Sequence, residues 1–185
     1  MRAVGDDVSV VREHSESGSE AVTVDVDRLI VDGVPDLYRY LLRLAGGDRA
    51  AAEDLVQETC LALVRAVQQD PTAELTVGWM IVVGRRRFLD RLRRERRESA
   101  RLERVGATED VDEPDWSLVE GGVALDGLAQ LPAAQRAALV FRYVDDLSTA
   151  EVAALLDRSV PATESLLARA RRELARIVGE DRDGH

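Results

Sequence analysis

Arginine dominates residues 84–97, which read GRRRFLDRLRRERR, in a chain whose formal net charge is -10. On a helix, Arg87, Arg91 and Arg94 share one face because they are spaced by four and three residues. The planar guanidinium fork suits phosphate, so this face could follow a nucleic-acid backbone. A solvated face that pairs with acidic segments of the same chain is the alternative. The apolar positions of the stretch are expected to pack inward: Phe88, Leu89 and Leu92.

A second set of polar residues follows a predicted helix-turn-helix. Ser148 and Glu151 form a capping-box pattern before a short helix, and Pro161 opens a longer one after a four-residue turn. Because the start of the second helix of such a motif enters the major groove, its side chains could reach bases or phosphates. A purely structural helical hairpin is the alternative. The residues expected to contact DNA are Arg158, Thr163, Glu164, Ser165, Arg169 and Arg171, with Arg172 as a further backbone contact.

A third set lies in AAEDLVQE, residues 51–58, where Asp54, Gln57 and Glu58 follow helical spacing. They predict a polar, acidic ridge on one helix. By itself this pattern is also satisfied by an ordinary exposed helix face.

Nothing in the sequence predicts catalysis, a cofactor or a metal. It has no glycine-rich phosphate loop, its two histidines lie near the chain ends, and Cys60 is the single cysteine. The pair Asp145-Asp146 is interpreted as turn or surface acids. The N-terminal residues lack an apolar signal core and no run approaches membrane-spanning length, so we expect a cytoplasmic protein that is not an enzyme and does not insert into membranes.

Composition and charge predict an all-α fold of two small helical domains joined by a flexible acidic linker. Aromatic residues make up only 4% of the 185 residues, while residues that favour helices are abundant. Residues 85–104 carry a net charge of +6, and the following residues 105–126 carry -7. The expected division is a disordered acidic tail (1–33), a first domain (34–104), a linker (105–122) and a second domain with the helix-turn-helix (123–180).

Local signals predict where the helices begin and end. The first is expected after Pro35, stopped by Gly46-Gly47. The second begins after Asp48 as N-cap and ends at Asp70-Pro71, and the third begins near Thr76. In the second domain, Pro132 is expected to start a helix.

These features occur in an order that resembles the extracytoplasmic-function (ECF) sigma factors of bacterial RNA polymerase. The stretches that carry the resemblance are DLYRYLLRLAGGDRAAAEDLVQETCLALVRA, GWMIVVGRRRFLDRLRRERR and LAQLPAAQRAALVFRYVDDLSTAEVAALLDRSVPATESLLARARREL. The resemblance implies sigma domain two and sigma domain four. It implies that the ridge Asp54, Gln57 and Glu58 binds core RNA polymerase, and that the helix-turn-helix reads the minus-thirty-five promoter element. It further implies an anti-sigma factor as a partner.

For the minus-ten element, the resemblance implies capture and melting by the loop before Trp79 and the helix after it. The residues expected to contact this DNA are Trp79, Arg85, Arg86, Arg87, Arg91 and Arg94. Asp90 matches an acidic family position and is expected to orient Arg86 or Arg94. The chain departs from the family pattern at four positions, which are Arg86 (often Asn), Asp157 (usually Gly), Glu164 and Leu166 (often basic). The alternatives are a stand-alone helix-turn-helix regulator and a helical protein-interaction module.

Overall fold

The computed structural model describes residues 26–71, 73–99 and 122–183. Across these ranges the secondary structure is helical, with no strand. The predicted all-α fold is therefore confirmed. The predicted acidic tail as far as residue 25 and the predicted linker over 105–121 lie outside the described residues. None of the described helices is both long enough and apolar enough to cross a membrane.

Three helices form the first unit: α1 (Val26–Leu44), α2 (Arg49–Gln69) and α3 (Val77–Ser99). Asp48 is the N-cap of α2, where its carboxylate accepts a hydrogen bond from the Ala51 N–H at 3.0 Å. The backbone N–H of Asp70 closes the last turn by donating to the Ala66 carbonyl. Both predicted ends of α2 are confirmed, because each depends on residues next to it in sequence.

The predicted start of the first helix after Pro35 is wrong, because α1 begins at Val26 and contains that proline. A proline inside a helix removes one hydrogen bond and costs about 3 kcal/mol. Packing opposes this cost, since Leu29 and Ile30 contact the core and Gly33 is buried. A Cβ on Gly33 would lie 3.0 Å from Val77 Cγ2, so α1 and α3 approach closely at this glycine.

The second unit contains α4 (Gly122–Gln130), α5 (Ala133–Leu139), α6 (Thr149–Leu156) and α7 (Val160–Asp183), with a π-helical turn at Val140–Val144 after α5. Pro132 precedes α5, as predicted. Helices α6 and α7 are the predicted helix-turn-helix. Asp157 ends α6 in the left-handed conformation with φ of 53°, so an aspartate takes the backbone geometry that more often requires glycine.

The capping box of α6 forms as predicted and gives a first testable expectation. The Ser148 hydroxyl accepts from the Glu151 N–H, and the Glu151 carboxylate accepts from the Ser148 N–H at 2.8 Å. Replacing Ser148 with alanine should lower the free energy of unfolding by about 1 kcal/mol, measured by urea denaturation at pH 7. The control Thr149→Ala should stay within about 0.5 kcal/mol of the unmodified protein.

The capping box also makes the destabilisation by Ser148→Ala depend on pH. Hydrogen bonds from the Ser148 side chain and backbone lower the pKa of Glu151. A carboxyl with a depressed pKa stabilises the folded state above its unfolded pKa and loses this contribution as the pH falls through its folded pKa. The difference between Ser148→Ala and the unmodified protein should therefore shrink below about pH 4. A difference that stays constant at acidic pH would contradict the role of the ionised carboxylate.

Candidate nucleic-acid interface

Helix α3 exposes arginine on one side and is anchored by apolar residues on the other. Phe88, Leu89 and Leu92 are buried, as predicted. Gly84 brings the helix against α1, since a Cβ at this position would lie 3.0 Å from Leu37 Cδ1. The arginine-rich stretch is therefore a fixed part of the first unit.

Four of the arginines predicted to bind DNA lie at the surface of α3. Arg86 and Arg94 are exposed. Arg91 Nε lies 3.3 Å from Glu95 Oε1, and Arg87 Nε lies 3.9 Å from Glu58 Oε2, with all four side chains at least 41% exposed. Exposed ion pairs of this kind contribute at most about 1 kcal/mol. Phosphate groups can therefore compete for these guanidinium groups.

Arg85 is different, because it is held within the protein. Its Nη1 lies 3.1 Å from Asp145 Oδ2, and the side chains are 19% and 12% exposed. The Tyr40 hydroxyl donates to the same carboxylate oxygen at 2.9 Å. Burial, and next the charge of Asp145, raise the pKa of Tyr40. Asp145 lies in a turn, as predicted, but its interpretation as a surface acid is wrong because its side chain is mostly buried. Arg85 does not lie on the open arginine face.

Asp90 contacts a different arginine from those expected. Its carboxylate accepts from Arg93 Nη1 at 3.1 Å, one helical turn further along, instead of pairing with Arg86 or Arg94. Arg86 and Arg94 are exposed, and Asp90 orients neither of them.

Trp79 lies in the first turn of α3 with its side chain half-buried against the core. The backbone N–H of Trp79 donates to the Thr76 hydroxyl at 3.2 Å, and this hydrogen bond caps the start of α3. The neighbouring Val82 is 52% exposed. On the helix, Val82 lies three residues after Trp79 and four before Arg86, so an aromatic ring, an apolar side chain and an exposed arginine follow one another along α3. This combination suits unstacked bases beside a phosphate backbone.

The predicted ridge on α2 is exposed at all three positions, Asp54, Gln57 and Glu58. The opposite side of α2 is buried through Leu55, Thr59 and Leu63. Two apolar residues extend the exposed side, because Leu61 is 56% and Val64 is 38% exposed. This extension was not predicted, although the helical spacing from Gln57 to Leu61 and Val64 indicates it.

The helix-turn-helix presents only part of the predicted contact set. Thr163 is fully buried, and its hydroxyl donates to the Ser159 carbonyl at 3.0 Å. The prediction that Thr163 contacts DNA is therefore wrong, because its position in α7 faces the core. Glu164 is exposed and Ser165 is half-buried, next to the buried Leu166.

The arginines of this motif are mostly half-buried. Arg169 Nε donates to the Ser165 carbonyl at 3.2 Å, and Arg171 Nη1 lies 3.3 Å from the Tyr143 hydroxyl. Burial lowers the pKa of Arg158, and the nearby charges of Arg96 and Arg169 lower it further. This is a cationic cluster at the junction of α3, α6 and α7.

Three further arginines, which were not predicted as functional residues, join the two units. Arg93 Nη2 and Arg96 Nη1 donate to the Leu155 and Leu156 carbonyls at 3.1 and 3.2 Å. Arg136 is buried in α5 and donates through Nε to the Leu44 carbonyl at 2.9 Å. Its place on the apolar face of PAAQRAALV is a signal in the sequence, since an arginine at a core position needs several acceptors.

The described residues contain no cluster of three or more histidine, cysteine, aspartate or glutamate side chains that could hold a metal ion. Cys60 is half-buried, and burial raises the pKa of its thiol, which disfavours the reactive thiolate.

Comparison with known proteins agrees with this organisation. The family model for Sigma-70 region 2 matches residues 29–98, and that for Sigma-70, region 4 matches residues 124–174. Among similar structures, RpoE of Bartonella quintana, solved with the anti-sigma factor NepR, has a TM-score of 0.50 at 21% identity, and the match covers 84% of this chain and 97% of that one. At 21% identity, this match shows that the two proteins share a fold.

Two similar proteins are named as sigma factors. The ECF RNA polymerase sigma factor SigL of Mycobacterium tuberculosis is 37% identical over 149 residues, which cover 74% of this chain and 80% of that protein. BldN of Streptomyces coelicolor, another ECF RNA polymerase sigma factor, is 30% identical over 151 residues, which cover 78% of this chain but only 57% of BldN. The resemblance predicted from the sequence is confirmed, and this chain belongs to the ECF RNA polymerase sigma factors.

Proposed function

We propose that this sigma factor uses two separate surfaces of its first unit, one for core RNA polymerase and one for the minus-ten element. The observation that carries the proposal is their arrangement on adjacent helices. The ridge Asp54, Gln57 and Glu58 is exposed on α2, and the arginine face is exposed on α3. Glu58 and Arg87 lie at the border of the two surfaces.

The minus-ten surface combines the exposed arginines with the half-buried ring of Trp79. Arg86, Arg87, Arg91 and Arg94 would hold phosphates, while the ring and its apolar surroundings would receive an unstacked base. The second unit would bind the minus-thirty-five element through Glu164 and Ser165 near the start of α7, with Arg158 before this helix and Arg169 further along it. Arg171 would support this surface through Tyr143.

The proposal extends to the remaining properties expected of the family. The chain would act in the cytoplasm and direct the polymerase without catalysing a reaction of its own. An anti-sigma factor would inhibit it by covering the α2 ridge, the α3 arginines or the DNA-binding surface of the second unit, because each of the three is needed for initiation.

Reconstitution with core RNA polymerase tests the function as a whole. Purified chain is added to core polymerase and templates from genomic DNA, and transcript starts are mapped. Starts that share a common upstream sequence support the proposal. Tight operator binding by the free chain without polymerase binding would indicate a stand-alone regulator, and absence of both would indicate an interaction module.

The α2 ridge can be tested on its own. Replacing Asp54 and Gln57 with alanine should weaken binding to core polymerase by about tenfold or more, because both side chains are exposed and available for contact. The control Asp32→Ala makes the same change in charge at an exposed position of α1. Equal affinity of the double variant and the control in a quantitative pull-down would refute the contact.

A further inference from the structure

The start of helix α7 is held in one conformation by local hydrogen bonds. The Ser159 hydroxyl accepts from the Ala162 N–H at 3.4 Å, and the Ser159 carbonyl accepts from both the N–H and the hydroxyl of Thr163 at 3.0 Å. Thr163 is fully buried, so this turn is anchored to the core of the second unit. The backbone that carries the outward side chains of the turn is therefore fixed.

Few polar side chains in the first two turns of α7 face solvent. The buried residues of these turns are Thr163, Leu166 and Leu167. Of the remaining polar residues, Glu164 is exposed and Ser165 is half-buried. The polar side chains that can reach base edges from this part of the helix are therefore Glu164 and Ser165.

Glu164 is the one acidic residue between Val160 and Arg172, a segment that carries three arginines. Its carboxylate forms no ion pair with any of the residues that the structure describes. At a position that faces DNA, a carboxylate repels phosphate, and this cost is offset where the DNA presents a hydrogen-bond donor to it. The base that supplies such a donor follows from the chemistry of the carboxylate.

An ionised carboxylate only accepts hydrogen bonds, which limits the bases that it can bind. In the major groove, guanine presents two acceptors, and thymine presents one acceptor and a methyl group. The donors are the N6 amino group of adenine and the N4 amino group of cytosine. The adenine amino group lies between two acceptors, its own N7 and thymine O4, whereas the cytosine amino group has an acceptor, guanine O6, on one side only. Cytosine is therefore the base that suits Glu164 best.

Two arginines flank Glu164 and can hold the DNA backbone beside it. Arg158 lies before α7, and its Nε is buried without a hydrogen-bond partner among the described residues. Buried donors usually have an acceptor, and a phosphate oxygen can supply one. On the other side, Arg169 Nε donates to the Ser165 carbonyl at 3.2 Å, so its side chain lies back along the helix towards Glu164. Phosphate contacts at these two arginines would fix the register of α7 in the major groove.

From these observations we propose that Glu164 is a specificity-determining residue that selects a cytosine in the minus-thirty-five element. Its carboxylate accepts a hydrogen bond from the cytosine N4 amino group in the major groove. The neighbouring Ser165 hydroxyl both donates and accepts, so it discriminates less between bases. The inference rests on the proposed function of the second unit, to which it adds the residue that reads a base and the identity of that base.

Selection from random sequences tests the assignment. The full chain and core polymerase form promoter complexes on duplex templates that are randomised across the minus-thirty-five element, upstream of one fixed minus-ten element, and the bound templates are sequenced. One position should retain cytosine about tenfold more often than the other bases, because a good contact to a base edge contributes a factor of this order. A profile in which no position prefers cytosine on either strand would overturn the proposal.

Two variants of Glu164 identify the position that it reads. Glutamine carries a donor beside its acceptor and pairs with N6 and N7 of adenine, so Glu164→Gln should change the preference at this position from cytosine to adenine. Glu164→Ala should remove the preference at the same position. The preferences at the other positions should stay as they are in the unmodified chain. An unchanged profile in both variants would show that Glu164 reads no base.

The matched control is Asp146→Asn, which removes one negative charge from the same unit. The Asp146 side chain is 99% exposed, and asparagine tolerates the φ of 52° at this position. Loss of either carboxylate reduces the repulsion of phosphate, but only the Glu164 variants should change the profile of selected bases. The same change of profile in Asp146→Asn would attribute the effect to net charge.

A base analogue tests the hydrogen bond itself. Pyrimidin-2-one in place of the selected cytosine lacks the N4 amino group and weakens pairing with guanine to the same extent for every variant. The unmodified chain should therefore lose about fivefold more affinity on this template than Glu164→Ala does. Equal losses would show that Glu164 does not bind the amino group. Absence of any selected upstream sequence, in the unmodified chain and in all variants, would instead refute the proposed function of the second unit.

Discussion

Replacing Arg136 with methionine is expected to lower the free energy of unfolding by about 3 kcal/mol. The side chain is only 8% exposed. It donates to the carbonyls of Leu44, Leu128, Ala129 and Leu131 at 2.9 to 3.3 Å. Methionine fills a similar volume but donates no hydrogen bond, so buried carbonyls at the ends of two helices lose their donor, each at about 1 kcal/mol.

An opposing effect reduces this loss without reversing it. Burial disfavours the charged guanidinium and lowers the pKa of Arg136, so removing the charge recovers some desolvation free energy. The Leu128 carbonyl keeps a hydrogen bond from the Leu131 N–H at 3.2 Å, but the Leu44 and Leu131 carbonyls lose the guanidinium donor, so the free energy of unfolding still falls. Urea denaturation measures the change, with Arg39→Met at an exposed position of α1 as the control. A loss below about 1 kcal/mol for Arg136→Met would show that water replaces the guanidinium.

Replacing Arg87, Arg91 and Arg94 together with glutamine is expected to weaken formation of the promoter complex and to flatten its dependence on salt. Each phosphate contact contributes about 0.7 to 0.9 to the slope of log affinity against log salt concentration. Loss of three contacts should lower the magnitude of this slope by about 2 to 3. The effect on affinity should be largest at low salt, where counterion release contributes most.

The appropriate control removes the same charge elsewhere on the first unit. Arg28, Arg39 and Arg43 are exposed on α1, away from the arginine face of α3. Their replacement by glutamine should leave the slope within about 0.5 of the unmodified protein, because they make no phosphate contact. The measurement is promoter-complex formation with polymerase over a series of salt concentrations. The same decrease in slope for both triple variants would attribute the effect to net charge and refute a specific phosphate surface.

Neighbouring arginines of α3 fall into two groups, one exposed to solvent and one bound to the second unit. The arginines at the surface, which can bind phosphate, are Arg86, Arg87, Arg91 and Arg94. Those that bind the second unit are Arg85, Arg93 and Arg96. Spacing on a helix does not separate these groups, since both occur in the same stretch. The distinction depends on where the second unit lies.

Local signals were sufficient for most helix ends. The N-caps Asp48 and Ser148 and the helix end at Asp70 follow from hydrogen bonds within a few residues, so the sequence predicts them. The start of α1 was mispredicted because Pro35 is a strong local signal for a helix end. Packing of the residues before it against α3 outweighs that signal.

Contacts between side chains far apart in the chain could not be predicted from sequence patterns. Asp145 looked like an ordinary turn residue, yet it binds Tyr40 and Arg85 across the interface between the units. Thr163 looked like a DNA contact, yet the packing of α7 buries it. In both cases the deciding quantity is burial, and for Asp145 the partners lie 60 and 105 positions away along the chain.

By itself, then, the sequence determined the all-α fold, the helix-turn-helix, the segregation of positive charge into one helix and the sigma-factor family, because periodicity, capping and motif order are local properties. Only the tertiary structure decided which arginines are open to solvent and which bind the other unit. The physical reason is that an arginine becomes available or engaged according to the acceptors that folding brings to it. For Arg85 and Arg136, the acceptors in the other unit lie 60 and 92 residues away along the chain.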